Sequence, residues 1–137
     1  MHISKVAKVS ALLTLIFSSS SFALPIIQPT RCPTAASIQA QQDKNTVNCK
    51  DGECSFFLPP SLYDAEVQWN FVMHLDATSD VDARSQALTA MSSLANKSGP
   101  TKLLPHMWVC TYSDNSGLQA NAYYTPDKKL LIEMQKN

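Results

Sequence analysis

The four cysteines of this 137-residue chain constrain its fold more than any other feature. Cys49 and Cys54 flank the sequence Lys50-Asp51-Gly52-Glu53. Asp51-Gly52 is a preferred two-residue hairpin turn, because both positions tolerate positive φ. Such a turn makes the two cysteines face each other on neighbouring strands, close enough for a disulfide. The remaining bridge is then Cys32–Cys110.

Other arrangements of the cysteines stay open at this point. Four cysteines allow three pairings, and the choice above depends on the turn. A structural zinc site favours two residues between paired cysteines, and a thioredoxin-like redox centre has the spacing C-x-x-C. Four residues separate Cys49 from Cys54. The spacing therefore favours structural disulfides over a metal or redox centre.

The N-terminal segment has the pattern of a secretory signal peptide. Lys5 and Lys8 precede the uncharged run Val9–Phe17, and Ser21-Phe22-Ala23 places small residues where signal peptidase recognises them. The run is about half of the roughly 20 residues that span a bilayer, so an uncleaved anchor through Ile27 is the less favoured alternative. We expect residues 1–23 to be removed and residues 24–137 to form one domain, secreted or periplasmic.

The charge balance argues against two classes of partner. The chain has 11 basic and 11 acidic residues. It lacks the excess of basic residues typical of nucleic-acid-binding proteins, and it has no polybasic run for an anionic membrane surface. We therefore expect no nucleic-acid partner, and no membrane span once the signal is removed.

Hydrophobic periodicity predicts an α+β fold, with an antiparallel sheet of about five or six strands, one main helix and stapling disulfides. Apolar residues alternate along Val67–Leu75, which predicts a strand. Ser79–Asn96 has helical spacing, with Ser79 as its N-cap. The other predicted elements are a short helix at Thr34–Gln42 and strands at Thr46–Cys49, Cys54–Leu58, Met107–Tyr112, Leu118–Tyr124 and Leu130–Met134.

The main helix and the central strand each have one apolar side that needs a partner. The helix would pack on the sheet face that carries Trp69, Phe71 and Met73. Its predicted apolar stripe is formed by Val81, Leu88, Met91 and Ala95, flanked by Ala87 and Leu94.

No catalytic or cofactor motif occurs in the sequence. Asp76, Asp80 and Asp82 lack the glycine and terminal glutamate of a calcium loop, so we interpret them as a strand end and a helix cap. Nucleophile elbow, P-loop and dinucleotide fingerprint are missing as well. We expect a non-enzymatic protein. A serine triad assembles only in the folded chain, so a small hydrolase stays as a lesser alternative.

Two histidines lie beyond the signal segment, and each has a methionine neighbour, in Met73-His74 and His106-Met107. Histidine and methionine ligate haem iron, and so does tyrosine, for which Tyr123 and Tyr124 are candidates. His106 is the first candidate because it follows Pro105 at an open strand start, and His74 is the second. The alternative is that both histidines are solvated and the methionines fill the core. Without C-x-x-C-H, haem would be held reversibly.

The order Cys32-Pro33, Ile38, central helix and Trp108-Val109-Cys110-Thr111-Tyr112 resembles a family of small secreted proteins from Legionella. Some members of that family carry the label hemin-binding. The resemblance implies hemin as a ligand, but it assigns no ligand residue.

We therefore expect a secreted, non-enzymatic binding protein that holds hemin (haem) reversibly. The alternative is an interaction module, such as an inhibitor or a partner of a host or surface protein. In that case the stapled turn Lys50–Glu53 would be a rigid contact element.

Overall fold

The computed structural model describes residues 27–136, which form a six-stranded antiparallel sheet with helices packed on it. The predicted α+β class is confirmed. The strands lie in the order β1-β2-β3-β6-β5-β4. In chain order the elements are α1 (Ala35–Gln39), a 3₁₀ turn (Gln42–Lys44), β1 (Thr46–Lys50), β2 (Glu53–Ser61), β3 (Trp69–Asp76), α2 (Asp80–Met91), β4 (Ala95–Leu104), β5 (Met107–Ser113), β6 (Gln119–Tyr124) and α3 (Lys128–Lys136).

The proposed signal segment, residues 1–23, lies outside the described residues. Between residues 27 and 136, no helix has the length and apolar character needed to cross a membrane.

Both predicted disulfides are confirmed, as Cys49–Cys54 and Cys32–Cys110. Cys49 faces Cys54 across the β1–β2 hairpin. In the turn, Asp51 has φ 53° and Gly52 has φ 80°, the two positive values that this tight turn requires. The second bridge ties the N-terminal segment to β5 across 78 residues of sequence. The cysteines are therefore structural, and the short bridge fixes the register of the edge strand β1.

As its period-two pattern predicts, β3 buries alternate side chains. Trp69, Phe71, Met73 and Leu75 are buried on one face of the sheet. The central helix α2 covers this face, with Ser79 accepting a hydrogen bond from Asp82 N at 3.1 Å as its N-cap. Ile38 of α1 is fully buried in the same core.

The predicted apolar stripe of the main helix is partly wrong. Val81 is 76% exposed, Leu88 is only half-buried, and Ala95 lies beyond the helix at the start of β4. The side chains of α2 that are buried against the sheet are instead three alanines, Ala83, Ala87 and Ala90, and the larger Met91. Alanines three and four residues apart let the helix axis approach the sheet closely, so the contact is formed by a narrow strip.

The main helix also ends earlier than predicted, at Met91 rather than Asn96. The last two residues of the predicted helix, Ala95 and Asn96, instead begin the edge strand β4, which pairs with β5 with three shifts of register. Pairing with β5 overrides local helix propensity here. Gly99 has φ +109°, and a Cβ at this position would lie 2.6 Å from the carbonyl oxygen of Val109. Only glycine fits where β4 crosses so close to β5.

The last predicted strand, Leu130–Met134, is also wrong, because this segment lies in helix α3. The residues around Leu130–Ile132 are good helix formers, mainly lysine, glutamate and glutamine. Asp127 begins the helix by accepting a hydrogen bond from Lys129 N at 3.0 Å. A short run of three apolar residues does not by itself distinguish a strand from a helix, and the Asp127 cap favours the helix.

Two carboxylates hold the N-terminal segment against the loop between β2 and β3. Asp64 accepts hydrogen bonds from Thr34 N at 2.9 Å, Thr34 Oγ1 at 2.6 Å and Ser37 Oγ at 3.0 Å. Glu66 accepts from the backbone N–H and the hydroxyl of Thr30 and from Arg31 N. We call this pair the carboxylate clasp. It positions the segment that leads into Cys32.

We expect Met91→Ala to lower the free energy of unfolding by about 2–5 kcal/mol, because it opens a cavity beneath α2. Leu88→Ala should cost less, since Leu88 is already partly exposed. Val81→Ala is the matched control and should not destabilise the fold, because Val81 is exposed and alanine has the higher helix propensity. Urea unfolding followed by tryptophan fluorescence measures all three. An effect of Val81→Ala as large as that of Met91→Ala would contradict this packing.

The two disulfides should differ in their contribution to stability. Chain entropy gives about 4.5 kcal/mol for a bridge across 78 residues and about 2 kcal/mol for one across 5. The double variant Cys32→Ala/Cys110→Ala should therefore be far less stable than Cys49→Ala/Cys54→Ala. Chemical denaturation of the two variants side by side tests this order, and equal losses would refute it.

Stability should fall in acid as the carboxylate clasp protonates. Burial raises the pKa of Asp64, but hydrogen bonds from Thr34 and Ser37 outweigh that effect and lower it. Hydrogen bonds from Thr30 lower the pKa of Glu66. Because both folded-state pKa values lie below their unfolded values, the stabilisation is present above the unfolded pKa of about 4 and is lost as the pH falls through the folded pKa.

Thermal melts between pH 7 and pH 2 test the clasp. The double variant Asp64→Asn/Glu66→Gln should have a melting temperature that falls less steeply below pH 4 than that of the parent. Asp43→Asn, at an exposed site, is the control and should keep the parental acid slope. If the melting temperatures of parent and double variant fall with the same slope below pH 4, protonation of the clasp is not linked to folding.

Candidate functional site

The face of the sheet that α2 leaves uncovered carries the outward side chains of β2, β3 and β6. On β3 these are Asn70, Val72 and His74, which are half-buried or exposed. Phe57 of β2 lies beside Val72, and Tyr123 of β6 lies beside Asn70. Both neighbours point to the same face, because directly paired residues in a sheet share a side. This face therefore combines aromatic, aliphatic and polar groups.

Elements from distant parts of the chain turn this face into a groove. Leu103, Leu104 and Met107, at the end of the β4–β5 hairpin, form one wall. Leu130 and Leu131 of α3 contribute another. The groove has a volume of about 940 Å³, at the upper end of the range for small-molecule sites. A ligand of substantial size can therefore be accommodated on this side of the sheet.

Within the described part of the chain, the groove lining contains no lysine, arginine, aspartate or glutamate. Its polar groups include His74, Tyr123 and Asn70, and most of the remaining lining is aliphatic, aromatic or proline. Burying a charge without a partner costs much free energy. The groove therefore suits an apolar body, with any charged substituent of a ligand left in water.

His74 is held in a defined orientation on the groove surface. Its Nδ1 lies 3.0 Å from the hydroxyl oxygen of Ser55 on the neighbouring strand, and Ser55 is only 8% exposed. In the tautomer in which Nδ1–H donates to Ser55, Nε2 carries a lone pair. Histidines that bind metals usually have their second ring nitrogen engaged in this way. The pair thus has the arrangement of a ligand and its orienting partner.

Tyr123 and Tyr124 lie on opposite faces of the sheet. Tyr123 lines the groove, whereas the Tyr124 ring packs against Trp69 and Trp108, with centroid distances of 6.0 and 5.7 Å. Burial raises the pKa of both phenols, and a hydrogen bond from Asn121 only partly offsets this for Tyr123. The anionic form that binds ferric iron is therefore disfavoured at both positions.

The two histidines do not meet. His106 is exposed in the turn between β4 and β5 and is not part of the groove lining. His74 and Tyr123 share the groove, but Tyr123 pairs with Asn70, four residues from His74 along β3. At about 3.4 Å per residue they are roughly 14 Å apart, so they cannot bind the same atom.

The methionine neighbours also separate. Met73 is buried in the core beneath α2, whereas Met107 is 4% exposed and lines the groove. Asp80 and Asp82 lie in the first turn of α2, as interpreted from the sequence. Within residues 27–136, no group of three or more histidine, cysteine or acidic side chains is arranged to hold a metal ion.

Sequence patterns did not reveal the groove. One feature of the sequence pointed to an apolar surface on the uncovered face. Val72 is an apolar residue on the outward side of a strand whose other outward residues are polar. The pairs Leu103-Leu104 and Leu130-Leu131 are further apolar residues that the predicted core did not use. Their convergence depends on the path of β4 and the position of α3, neither of which was predicted.

No protein-family model, curated protein or solved structure matches this chain. The interpretation of the groove therefore depends on its own geometry.

Proposed function

We propose that the protein binds hemin reversibly in the groove, with His74 as the axial ligand of the iron. The observation that carries this proposal is the His74 imidazole, oriented by Ser55, at one end of an uncharged and mainly apolar groove of about 940 Å³. Imidazole is a common axial ligand of haem iron. An apolar groove supplies the hydrophobic burial on which a non-covalent complex depends.

His74 replaces His106 as the first candidate. His106 lies in an exposed turn outside the groove lining, whereas His74 lines the groove and its strand neighbours include Phe57 and Val72. Tyr123 remains a candidate for a contact at the far end of the groove. Its raised pKa favours a neutral phenol that donates a hydrogen bond over a phenolate that ligates iron.

The propionate groups of hemin would lie in water at the groove mouth. The lining offers them no cation, and burying them unpaired would oppose binding. Lys128 and Lys129 at the exposed start of α3 are the lysines beside the wall residues Leu130 and Leu131. Surface ion pairs of this kind add little to affinity. The affinity for hemin should come mainly from burial of the porphyrin ring in the groove and from ligation of the iron by His74.

We also propose an extracytoplasmic location, either secreted or periplasmic. The signal-like N-terminus and the two disulfides support it, because disulfides persist in oxidising compartments.

An interaction module is the second candidate function, and one observation favours it. All four residues of the turn Lys50–Glu53 are exposed, and the Cys49–Cys54 bridge fixes the hairpin behind them. A rigid exposed turn loses little conformational entropy when it binds a partner.

Hemin titration of the mature protein, residues 24–137, tests the main proposal. The Soret band should shift on binding, and His74→Ala should abolish the shift or weaken the affinity at least tenfold. His106→Ala is the matched control, since it removes the other histidine from an exposed turn, and it should bind like the parent. Iron-free protoporphyrin IX should bind parent and His74→Ala with similar affinity, because it has no iron to ligate.

Ser55→Ala should weaken hemin binding by about 10–100-fold, the usual effect of losing the partner that orients a metal ligand. A parent protein that leaves the Soret band unshifted would end the haem proposal and favour the interaction module. Binding that survives His74→Ala but is lost in His106→Ala would move the site to the β4–β5 turn.

A further inference from the structure

The C-terminal helix α3 forms a wall of the groove without being a strand of the sheet. It follows β6 through the linker Thr125–Asp127. Leu130 and Leu131 line the groove and are half-buried, whereas Ile132, the next residue on the helix, is 53% exposed. The helix therefore presents one apolar side to the groove and another to solvent.

The start of α3 is capped by its own linker. Asp127 Oδ1 accepts a hydrogen bond from Lys129 N at 3.0 Å, and Asp127 O accepts one from Leu131 N at 3.1 Å. Thr125 Oγ1 in turn accepts a hydrogen bond from Asp127 N at 3.1 Å. The helix N-terminus is therefore satisfied within the linker and the helix, and none of these hydrogen bonds belongs to the ladder of β6 with β3 and β5.

The rest of the fold does not depend on this wall. The buried core lies on the opposite face, beneath α2, and it contains none of the α3 side chains that the structure describes, residues 128–133. Opening α3 would give access to groove side chains such as Phe57 and Val72. An element with few buried apolar contacts opens at lower free energy than the core strands.

We propose that α3 is a lid, which opens to admit an apolar ligand and closes Leu130 and Leu131 over it. This deepens the proposed function, because it assigns the control of ligand entry and release at the same groove. A bound ligand supplies apolar surface to the two leucines, so it favours the closed arrangement. Movement of α3 breaks none of the hydrogen-bonded ladders of the sheet.

Ligand release from matched helix variants tests the lid. Leu130→Asp/Leu131→Asp should release a bound probe at least tenfold faster, because it removes the apolar side that closes over the ligand. Ile132→Asp places the same charge on the adjacent exposed site of the same helix and should release it at the parental rate. Stopped-flow transfer of hemin to an excess of an apo haem protein gives this rate, and equal rates in all three proteins would overturn the lid.

A second probe separates failure of the lid from failure of the haem proposal. The apolar dye 8-anilinonaphthalene-1-sulfonate needs no axial ligand, and its release is followed by fluorescence. If hemin does not bind but the dye is released faster from the double variant than from Ile132→Asp, the haem proposal fails and the lid stands. Removal of residues 128–137 should also speed release at an unchanged melting temperature. Tighter binding after this truncation would overturn the lid, since α3 would then be blocking the groove.

Hydrogen–deuterium exchange tests the opening without any ligand. Amides in the first turns of α3 should exchange at least tenfold faster than those of β3. Protection in α3 should rise when a probe is bound, while protection in β3 stays the same. Exchange in α3 as slow as in β3 would show a fixed wall and overturn the proposal.

Discussion

The pleat of β3 is the constraint on which the rest of the structure depends. Successive side chains of a strand point to opposite faces, so burying Trp69, Phe71 and Met73 beneath α2 also places Val72 and His74 on the other face. A shift of one residue would exchange the two sets. Because the core fixes which side chains of β3 are buried, it also fixes which side chains of β3 face the groove.

Two disulfides and the carboxylate clasp restrain chain segments that lie against the sheet. The Cys49–Cys54 bridge fixes the edge strand β1 on β2, and Ser55, which orients His74, follows Cys54 directly. At the other side, the Cys32–Cys110 bridge and Asp64 hold the N-terminal segment beside β5. Of these restraints, the Cys49–Cys54 bridge acts on an edge strand, whereas the Cys32–Cys110 bridge and the clasp act on β5 and on the β2–β3 loop.

The groove differs from the core in how it is built. The core is closed by helix α2 and a disulfide-tethered segment, whereas the groove has a hairpin end and a C-terminal helix as its walls. Under the lid proposal, movement of α3 would leave the buried face in place while a large flat ligand enters or leaves. In the proposed complex, His74 on a core strand would fix the ligand geometry and α3 would control access to it.

The sequence by itself determined the local features. Asp51-Gly52 indicated the hairpin and its disulfide, Ser79 marked the start of α2, and the alternation around Trp69 identified β3, because each depends on residues close in sequence. Only the tertiary structure decided where α2 ends, that residues 95–104 pair with β5, and that His74 rather than His106 lies in a groove. Those outcomes depend on contacts between segments far apart in the chain, which no local pattern encodes.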